Sequence, residues 1–511
     1  MQRLPDRQRS ILESSRTGRP VPQKIITSEH VEQRLAQRGM RPRWHGTPPS
    51  CFSTLQSDSR TVESGDLFCA IPGTKVDGHT FVGTAEQAGA VAAVVERVVD
   101  VPLPQIVVTD AHVSVAHLAS LFVGDPSDDL RLVGITGTNG KSTTAWLVRW
   151  ILSDESPTVA LGTLGTVSID GELGPTTLTT PDPIELAKTL AELRDNGVVS
   201  VALEVSSHAL DQHRTDGLLF DAIAYTSFSR EHLDYHSDLE SYRAAKLRLT
   251  SLLKTDGICV VNNDEPAWSG VAPDNATTLR YGLEPKSVVS VSDLLLSADS
   301  STFRLCVLDE DLTLTLPFPA EFNVQNALAA ATVAIGLGMP LDRIVERLSS
   351  APPVPGRMEV LTRDPVLVIR DYAHNPDSCE RALSTLREIV PGRVIALLGC
   401  GGDRDVGKRP IMGQILTRLS DVAIVTSDNP RSEDPEEICH QMVTGLDPSS
   451  YTIVPDRYEA IEYAVAEAGH LDAVVLLGKG HETYQIVGDE YRPFDEGRIV
   501  AEILGGPGMS E

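Results

Sequence analysis

Aromatic residues make up only 5 % of the chain, positive charge is scarce, and cysteines are few and scattered. Cys51, Cys69, Cys259, Cys306, Cys379, Cys400 and Cys439 form no C-x-x-C pair. That excludes a zinc knuckle and points away from a disulfide framework toward reduced, cytosolic thiols. Lys and Arg number 44 against 71 Asp and Glu, a formal charge of −27. Such a field argues against a nucleic-acid partner or an anionic membrane surface. Any phosphate or carboxylate ligand must therefore be met by local Arg and Lys, helix N-termini and Mg2+. No run of about 18 apolar residues occurs and the first residues lack an apolar h-region. The expectation is a cytoplasmic protein with no membrane insertion. There is no internal repeat and no low-complexity tract. Residues 1–24, rich in Arg, Gln and Ser, predict a disordered tail.

What the chain does have is enough apolar residues, 41 % of 511, for about three domain cores. Apolar runs at 66–71, 91–95 and 105–109 alternate with helical stretches, and Gly124-Asp125-Pro126-Ser127 reads as a linker. From 132 to about 350, strand patterns (198–204, 222–225, 258–261) interleave with helical ones, as in a parallel sheet covered on both faces. Pro352-Pro353-Val354-Pro355-Gly356 reads as a stiff break. A third α/β pattern follows, with strands at 366–369, 394–398, 422–425 and 474–477.

The most informative segment is Leu132-Val133-Gly134-Ile135-Thr136-Gly137-Thr138-Asn139-Gly140-Lys141-Ser142-Thr143-Thr144. A buried strand opens into a Gly-rich turn and then a helix, so backbone N–H groups and a helix N-terminus face one spot suited to a polyphosphate. Lys141 would reach the terminal phosphates and Ser142 or Thr143 a magnesium ion. Ile135 stands where the first glycine of the general P-loop pattern would be, flanked by Gly134 and Gly137. The reading is an α/β chain of three domains after the tail. These are 25–130, a central P-loop parallel-sheet ATPase domain over 131–350, and a Rossmann-like C-terminal domain over 351–511.

Other polar residues follow strand ends. Glu204 could hold Mg2+ beside the P-loop or merely precede a helix cap at Ser206 or Ser207. His232 lies in Ser229-Arg230-Glu231-His232-Leu233-Asp234-Tyr235-His236, where a metal and a surface reading are evenly matched. Lys246 alone looks like a helix-surface lysine. In the last third, Asp371-Tyr372-Ala373-His374-Asn375, Gly401-Gly402-Asp403-Arg404, Ser427-Asp428-Asn429-Pro430-Arg431 and Gly478-Lys479-Gly480-His481-Glu482 each follow a strand. That is the edge where open α/β sheets bind ligands.

Taken together, the P-loop, Glu204-Val205-Ser206-Ser207-His208, the His232 segment and Ala245-Lys246 resemble the motifs of the Mur ligases in order and spacing. Phe322-Asn323-Val324-Gln325-Asn326, Gly356-Arg357-Met358-Glu359 and Asp371-Tyr372-Ala373-His374-Asn375-Pro376 extend the resemblance over about residues 54–483. It implies ATP as co-substrate, with its phosphates on Gly137, Thr138, Asn139, Gly140, Lys141, Ser142 and Thr143. Asn326, Arg357 and His374 would lie near its base, ribose or phosphates. Mg2+ would sit on Ser142, Glu204, His232 and a carbamylated Lys246, with Lys141, Lys246 and His232 as the catalytic set. A carbamate suits that place because an ammonium would repel the metal. A UDP-N-acetylmuramoyl-dipeptide would meet the 25–130 domain at Ser57, Ser59, Thr74, Lys75 and Val76. Its other parts would meet Thr179, Thr180, Ser206, Gln212 and Arg214. The motif before Pro181 reads Leu178-Thr179-Thr180, where the family pattern has Asn-Thr-Thr.

Asp428-Asn429-Pro430-Arg431 resembles the sequence of family members that take meso-diaminopimelate, with Arg404, Gly478 and Glu482 as further contacts in the C-terminal domain. The chemistry agrees: Arg431 can grip a distal carboxylate that L-lysine lacks, and Glu482 can accept from an ammonium. The alternative, weighed below the carboxylate-binding reading, is Arg431 as a solvated turn residue after Pro430. The implied reaction is an ADP-forming amide ligation in peptidoglycan precursor synthesis, through an acyl phosphate. The alternatives are L-lysine as the amine, or a folylpolyglutamate-synthase-like ligase.

Overall fold

The computed structural model describes residues 25–73, 76–174, 178–233 and 235–505. The expected tail and the expected contacts Thr74 and Lys75 lie outside them. Among the described residues three larger sheets follow one another along the chain, beside two two-stranded ones. The first has five strands in the order Arg43–His45, Gln105–Val107, Ala92–Val95, Leu67–Cys69, Leu55–Gln56. Its core includes Leu67, Val94 and Ile106 and continues through helix Ala111–Phe122 onto Ile184 and Ala187 of helix Pro183–Asp195. That shared apolar face seats the first sheet on the second. The expected linker at 124–127 is instead structured: Pro126 starts a short helix, Pro126–Asp129, and Pro126 and Ser127 are buried. Proline at the first helical position is preorganised for that role.

The second sheet is built around β1 (Arg131–Thr136), which runs into α1 (Lys141–Leu152). β1 lies between β2 (Ser200–Glu204) and β3 (Phe220–Tyr225), and all three are parallel. Side chains alternate between two cores, as a strand covered on both faces requires. Val133, Ile135, Ala202 and Ala224 face one core, and Leu132, Val201, Leu203 and Ile223 the other. The expected parallel centre is present, but the ten-stranded sheet is mixed. Strands Val289–Leu296, Ser301–Val307 and Glu310–Leu316 are antiparallel neighbours at one edge, and Thr158–Gly162 pairs antiparallel with Gly165–Val167 at the other. Short hairpin connections allow this where crossover helices would force parallel pairing. Helix α2 (Leu239–Leu247) carries Lys246, and α3 (Glu321–Gly336) packs on α1.

The expected stiff break at 352–356 is only partly a break. Val354 is buried in the central core and the Trp146 indole donates to Pro352 O at 3.0 Å. The third sheet follows, containing β4 (Leu367–Asp371), β5 (Val394–Leu398), β6 (Val422–Val425) and β7 (Ala473–Leu477) in the spatial order β4-β7-β5-β6, all parallel. Asp371 and Leu398 both pair with Leu477, and Leu398 with Val425. The register thus aligns four carboxyl ends, bringing the four polar clusters to one edge. Helix α4 (Pro376–Ile389) follows β4, and strand β8 (Tyr484–Val487) lies beyond β7.

Candidate functional site

The P-loop is a turn that only its glycines permit. Gly140 has φ +88°, and a Cβ there would lie 2.3 Å from Asn326 Oδ1, so α3 closes over the loop. Lys141 Nζ folds back onto Gly137 O (3.0 Å) and Thr138 O (2.8 Å). Its burial lowers its affinity for a proton, while Glu231 and Glu204 oppose that. Ser142 Oγ donates to Glu204 Oε2 at 3.0 Å, and Arg357 Nη2 reaches Ser142 Oγ at 3.2 Å. Arg357 Nε is buried without a partner, an orphaned donor beside the loop that a ligand oxygen would satisfy.

Glu204 is buried at the end of β2, where it accepts from Thr163 N at 2.9 Å and from the Thr163 hydroxyl at 3.2 Å. It is therefore not an exposed residue ahead of a cap, although Ser206 does cap the next helix through Ala209 N. The sequence reading missed Thr163. Its only signal was a place at the end of the strand neighbouring β2.

Lys246 departs most from its appearance in the sequence. Its side chain is buried on the inner face of α2, and Nζ donates to Gly137 O at 2.7 Å, the carbonyl that Lys141 also binds. Burial, followed by repulsion from Lys141, holds its pKa well below the usual lysine range. The Tyr242 ring lies 4.5 Å from its nitrogen.

One cavity collects most of the candidate nucleotide and metal residues. Thr138 through Thr143, Glu204, His232, Asn326, Arg357 and His374 line it, with Thr179 and Ser206 at its side. His232 is on the more open wall, 43 % exposed at its side chain, with its ring 4.7 Å from that of His208. His374 Nδ1 donates to Tyr372 O at 2.7 Å, and burial lowers its pKa, so Nε2 remains an acceptor. Gly137 and Lys246 lie behind the wall. Thr180, Gln212 and Arg214 are linked to it by hydrogen bonds. Thr180 Oγ1 donates to Glu204 O at 2.8 Å, Arg214 Nη1 to Thr180 O at 2.8 Å, and Arg214 Nη2 to Gln212 Oε1 at 2.7 Å. Leu178 is exposed.

The cavity lies on the seam between the second and third sheets. Asp377, at the start of α4, accepts from Asn139 Nδ2 and from Ser229 Oγ, both at 3.0 Å. Asn375 Nδ2 donates to Glu231 Oε1 at 2.8 Å. The sequence reading gave Asp377 no role, because its partners are more than 140 residues away.

The C-terminal candidates form a second cluster. Arg431 adopts φ +52°, its N–H bonds Ile486 O at 3.0 Å, and Nη1 donates to Gly402 O at 2.8 Å. The guanidinium is thus pinned by backbone between two loops and is more than a solvated turn residue. Arg404 is exposed nearby, its Cγ 3.6 Å from where a Gly401 Cβ would stand. Asp428 and Asn429 are buried, and Asn429 Nδ2 donates to Glu482 Oε2 at 2.8 Å. Gly478 has φ +110° with its Cβ direction 3.0 Å from Asp428 Oδ2. Pro430 O crowds Gly402, where a Cβ would stand 1.9 Å away. In the first sheet, Ser57 and Val76 are exposed and Ser59 half-buried. No hydrogen bond joins them to the cavity among the described residues.

A P-loop facing the buried Glu204 carboxylate, with an Arg-bearing cluster on the next sheet, defines a nucleotide-dependent ligase architecture. The chain belongs to the Mur ligase family. Three family models match it: the catalytic-domain model over residues 52–120, the middle-domain model over 135–334 and the glutamate ligase domain model over 356–480. A relative from Geobacillus kaustophilus is 41 % identical over 469 residues, 89 % of this chain and 95 % of its own, and is named UDP-N-acetylmuramoyl-L-alanyl-D-glutamate--2,6-diaminopimelate ligase. A relative of the same name from Geobacter sulfurreducens is 40 % identical over 86 % of this chain and 92 % of its own. A solved structure of that name superposes with TM-score 0.66 at 33 % identity, covering 90 % and 96 % of the two chains. A Mycobacterium tuberculosis folylpolyglutamate synthase shares the fold alone, at 18 % identity and TM-score 0.60 over 72 % of this chain and 92 % of that one.

Proposed function

We propose that the chain joins meso-2,6-diaminopimelate to the D-glutamyl γ-carboxylate of UDP-N-acetylmuramoyl-L-alanyl-D-glutamate, forming ADP and phosphate. The observation that carries this reading is the Asp428–Arg431 turn, pinned against Gly402 and Ile486 beside Glu482, in a chain about 40 % identical to relatives named for that reaction. L-Lysine and a folate are not favoured. Lysine would leave the Arg431 guanidinium without its carboxylate, and the folylpolyglutamate likeness extends only to the fold.

The P-loop N–H groups and Lys141 bind and orient the triphosphate, drawing charge from the γ-phosphate as the substrate carboxylate attacks it. ADP leaves, and the acyl phosphate that forms has a leaving group that oxide lacks. The amine then adds to its carbonyl, loses a proton and expels phosphate. Asn326, Arg357 and His374 orient the nucleotide; Thr179, Thr180, Ser206, Gln212 and Arg214 orient the peptide end of the acceptor. Ser57, Ser59 and Val76 face its nucleotide end. Catalysis is positioning and charge stabilisation, with no protein nucleophile.

The residues fit Mg2+. Ser142 Oγ and Glu204 Oε2 are adjacent oxygen donors, and among the described residues no three His, Cys, Asp or Glu converge to cage a metal by themselves. Mg2+ is characteristically held through one or two carboxylates together with phosphate oxygens and water. Ser142, Glu204, His232 and carbamylated Lys246 would hold it, and it would supply charge neutralisation at the γ-phosphate. Among the described residues no helix is long and apolar enough to cross a membrane, which is compatible with work in the cytoplasm on nucleotide-linked precursors. The test is phosphate release with ATP, the UDP-sugar dipeptide and either meso-diaminopimelate or L-lysine. Turnover with the first and little with the second is expected; the reverse preference removes the reading.

A further inference from the structure

The amino-acid end of the site contains a cation to which the proposed reaction assigns no task. Lys479 has no solvent exposure. Its Nζ donates to Asn429 Oδ1 at 3.1 Å and to Glu482 Oε2 at 3.4 Å, and lies 3.7 Å from Asp428 Oδ1. Asn429 Nδ2 donates to the same Glu482 Oε2, so Oε1 carries neither bond. Asp428 is 7 % exposed, yet its Oδ1 has no hydrogen-bond partner. A buried acceptor left in that state calls for a donor from a ligand.

We propose that Lys479 is a positioning residue for amino-acid selection. It balances the charge of Asp428 and Glu482 and holds Glu482 through one oxygen, leaving the other to accept from a cationic group of the substrate. This rests on reading the cluster as the amino-acid site. Two acids buried side by side cannot both stay ionised without a cation between them. Burial and the neighbouring Asp428 push Glu482 toward its neutral form, whereas Lys479 and the Asn429 amide oppose them. Other titratable or charged groups near that carboxylate are the phenols of Tyr372, after β4, and Tyr484, on β8, with Arg431 near Tyr484 and with Arg357 and His481 against the Tyr372 ring. Both phenols are pushed up, so neither supplies charge. Lys479 itself does not reach solvent and acts through Glu482 and Asn429.

The experiment is the diaminopimelate KM, by phosphate release, for wild type, Lys479→Met and Lys479→Arg from about pH 6.5 to about pH 9. For Lys479→Met the KM is expected to rise roughly 10- to 100-fold near neutral pH. The ratio to wild type should fall as pH rises, because Glu482 regains its charge. Taking the ratio cancels titration of the substrate's own ammonium. The KM values for ATP and the UDP-sugar dipeptide should stay within about twofold. Lys479→Arg keeps the cation, so its ratio should not depend on pH. A pH-independent ratio for Lys479→Met, equal losses toward all three substrates, or a Lys479→Arg ratio that follows the Met trend overturns the proposal. Should Lys479→Met fail to fold, Lys479→Met/Glu482→Gln, which removes one of the two acids, is expected to restore a soluble protein; no rescue overturns the proposal. A wild-type enzyme inert toward diaminopimelate instead removes the substrate reading.

Discussion

Two lysines, Lys141 and Lys246, donate to the single carbonyl of Gly137. Two ammonium groups at that spacing repel, and Lys246 is the more easily neutralised, since burial and Lys141 both lower its pKa. A neutral amine is the form that attacks carbon dioxide, so the setting that makes Lys246 a poor ammonium makes it a good carbamate precursor. Lys246→Ala is expected to abolish turnover while calorimetry still shows binding of the UDP-sugar dipeptide; an active variant would contradict the carbamate. Arg431→Ala should lower kcat/KM for diaminopimelate by about 10²- to 10⁴-fold, with ADP affinity unchanged. Equal kinetics would remove Arg431 from the site. Thiol chemistry gives a separate check on burial. Cys51 is exposed, whereas burial pushes Cys259, Cys400 and Cys439 up to about 12. Alkylation of the native protein near pH 8, read by mass spectrometry, should mark Cys51 first and spare those three.

At the level of the element, strand β1, its turn and α1 form a unit whose chemistry is contiguous in the chain, and it was legible for that reason. Gly140 shows how tightly the unit is specified. Alanine there would meet both a left-handed backbone and Asn326 Oδ1 at 2.3 Å. Gly140→Ala is expected to cost about 1–3 kcal/mol in stability and to weaken ADP binding, as seen by denaturant titration and calorimetry; wild-type values for both would contradict the strained-turn account. The four polar clusters of the C-terminal sheet were also legible, because parallel strands put their carboxyl ends at one edge. Lys246 was not. Its spacing on α2 is that of a surface lysine, and only the packing of α2 against the P-loop turns it inward. The antiparallel edges of the central sheet were missed because no strand pattern was read at 158–167 or 289–316, where the connections are too short for a parallel crossover.

In the whole molecule the site spans a seam. Asp377 joins the third sheet's first helix to the P-loop and to Ser229, and Asn375 reaches Glu231. Asp377→Ala removes two partly buried hydrogen bonds and is expected to cost about 1–3 kcal/mol of coupling between the two parts. Scanning calorimetry should show this as a lower transition, or as two transitions where the wild type has one; an unchanged trace would mean the seam is held elsewhere. The amino-acid order by itself determined the α/β class, the Gly-rich turn between β1 and α1 and which polar clusters end strands, since each is written in consecutive residues. Only the tertiary structure decided that Lys246 is buried against Gly137, that Lys479 stands between two acids, and that Asp377 meets Asn139. Those contacts depend on segments far apart in the chain, and for Lys246 it is burial, a property of the packed molecule, that lowers the pKa and so sets the chemistry.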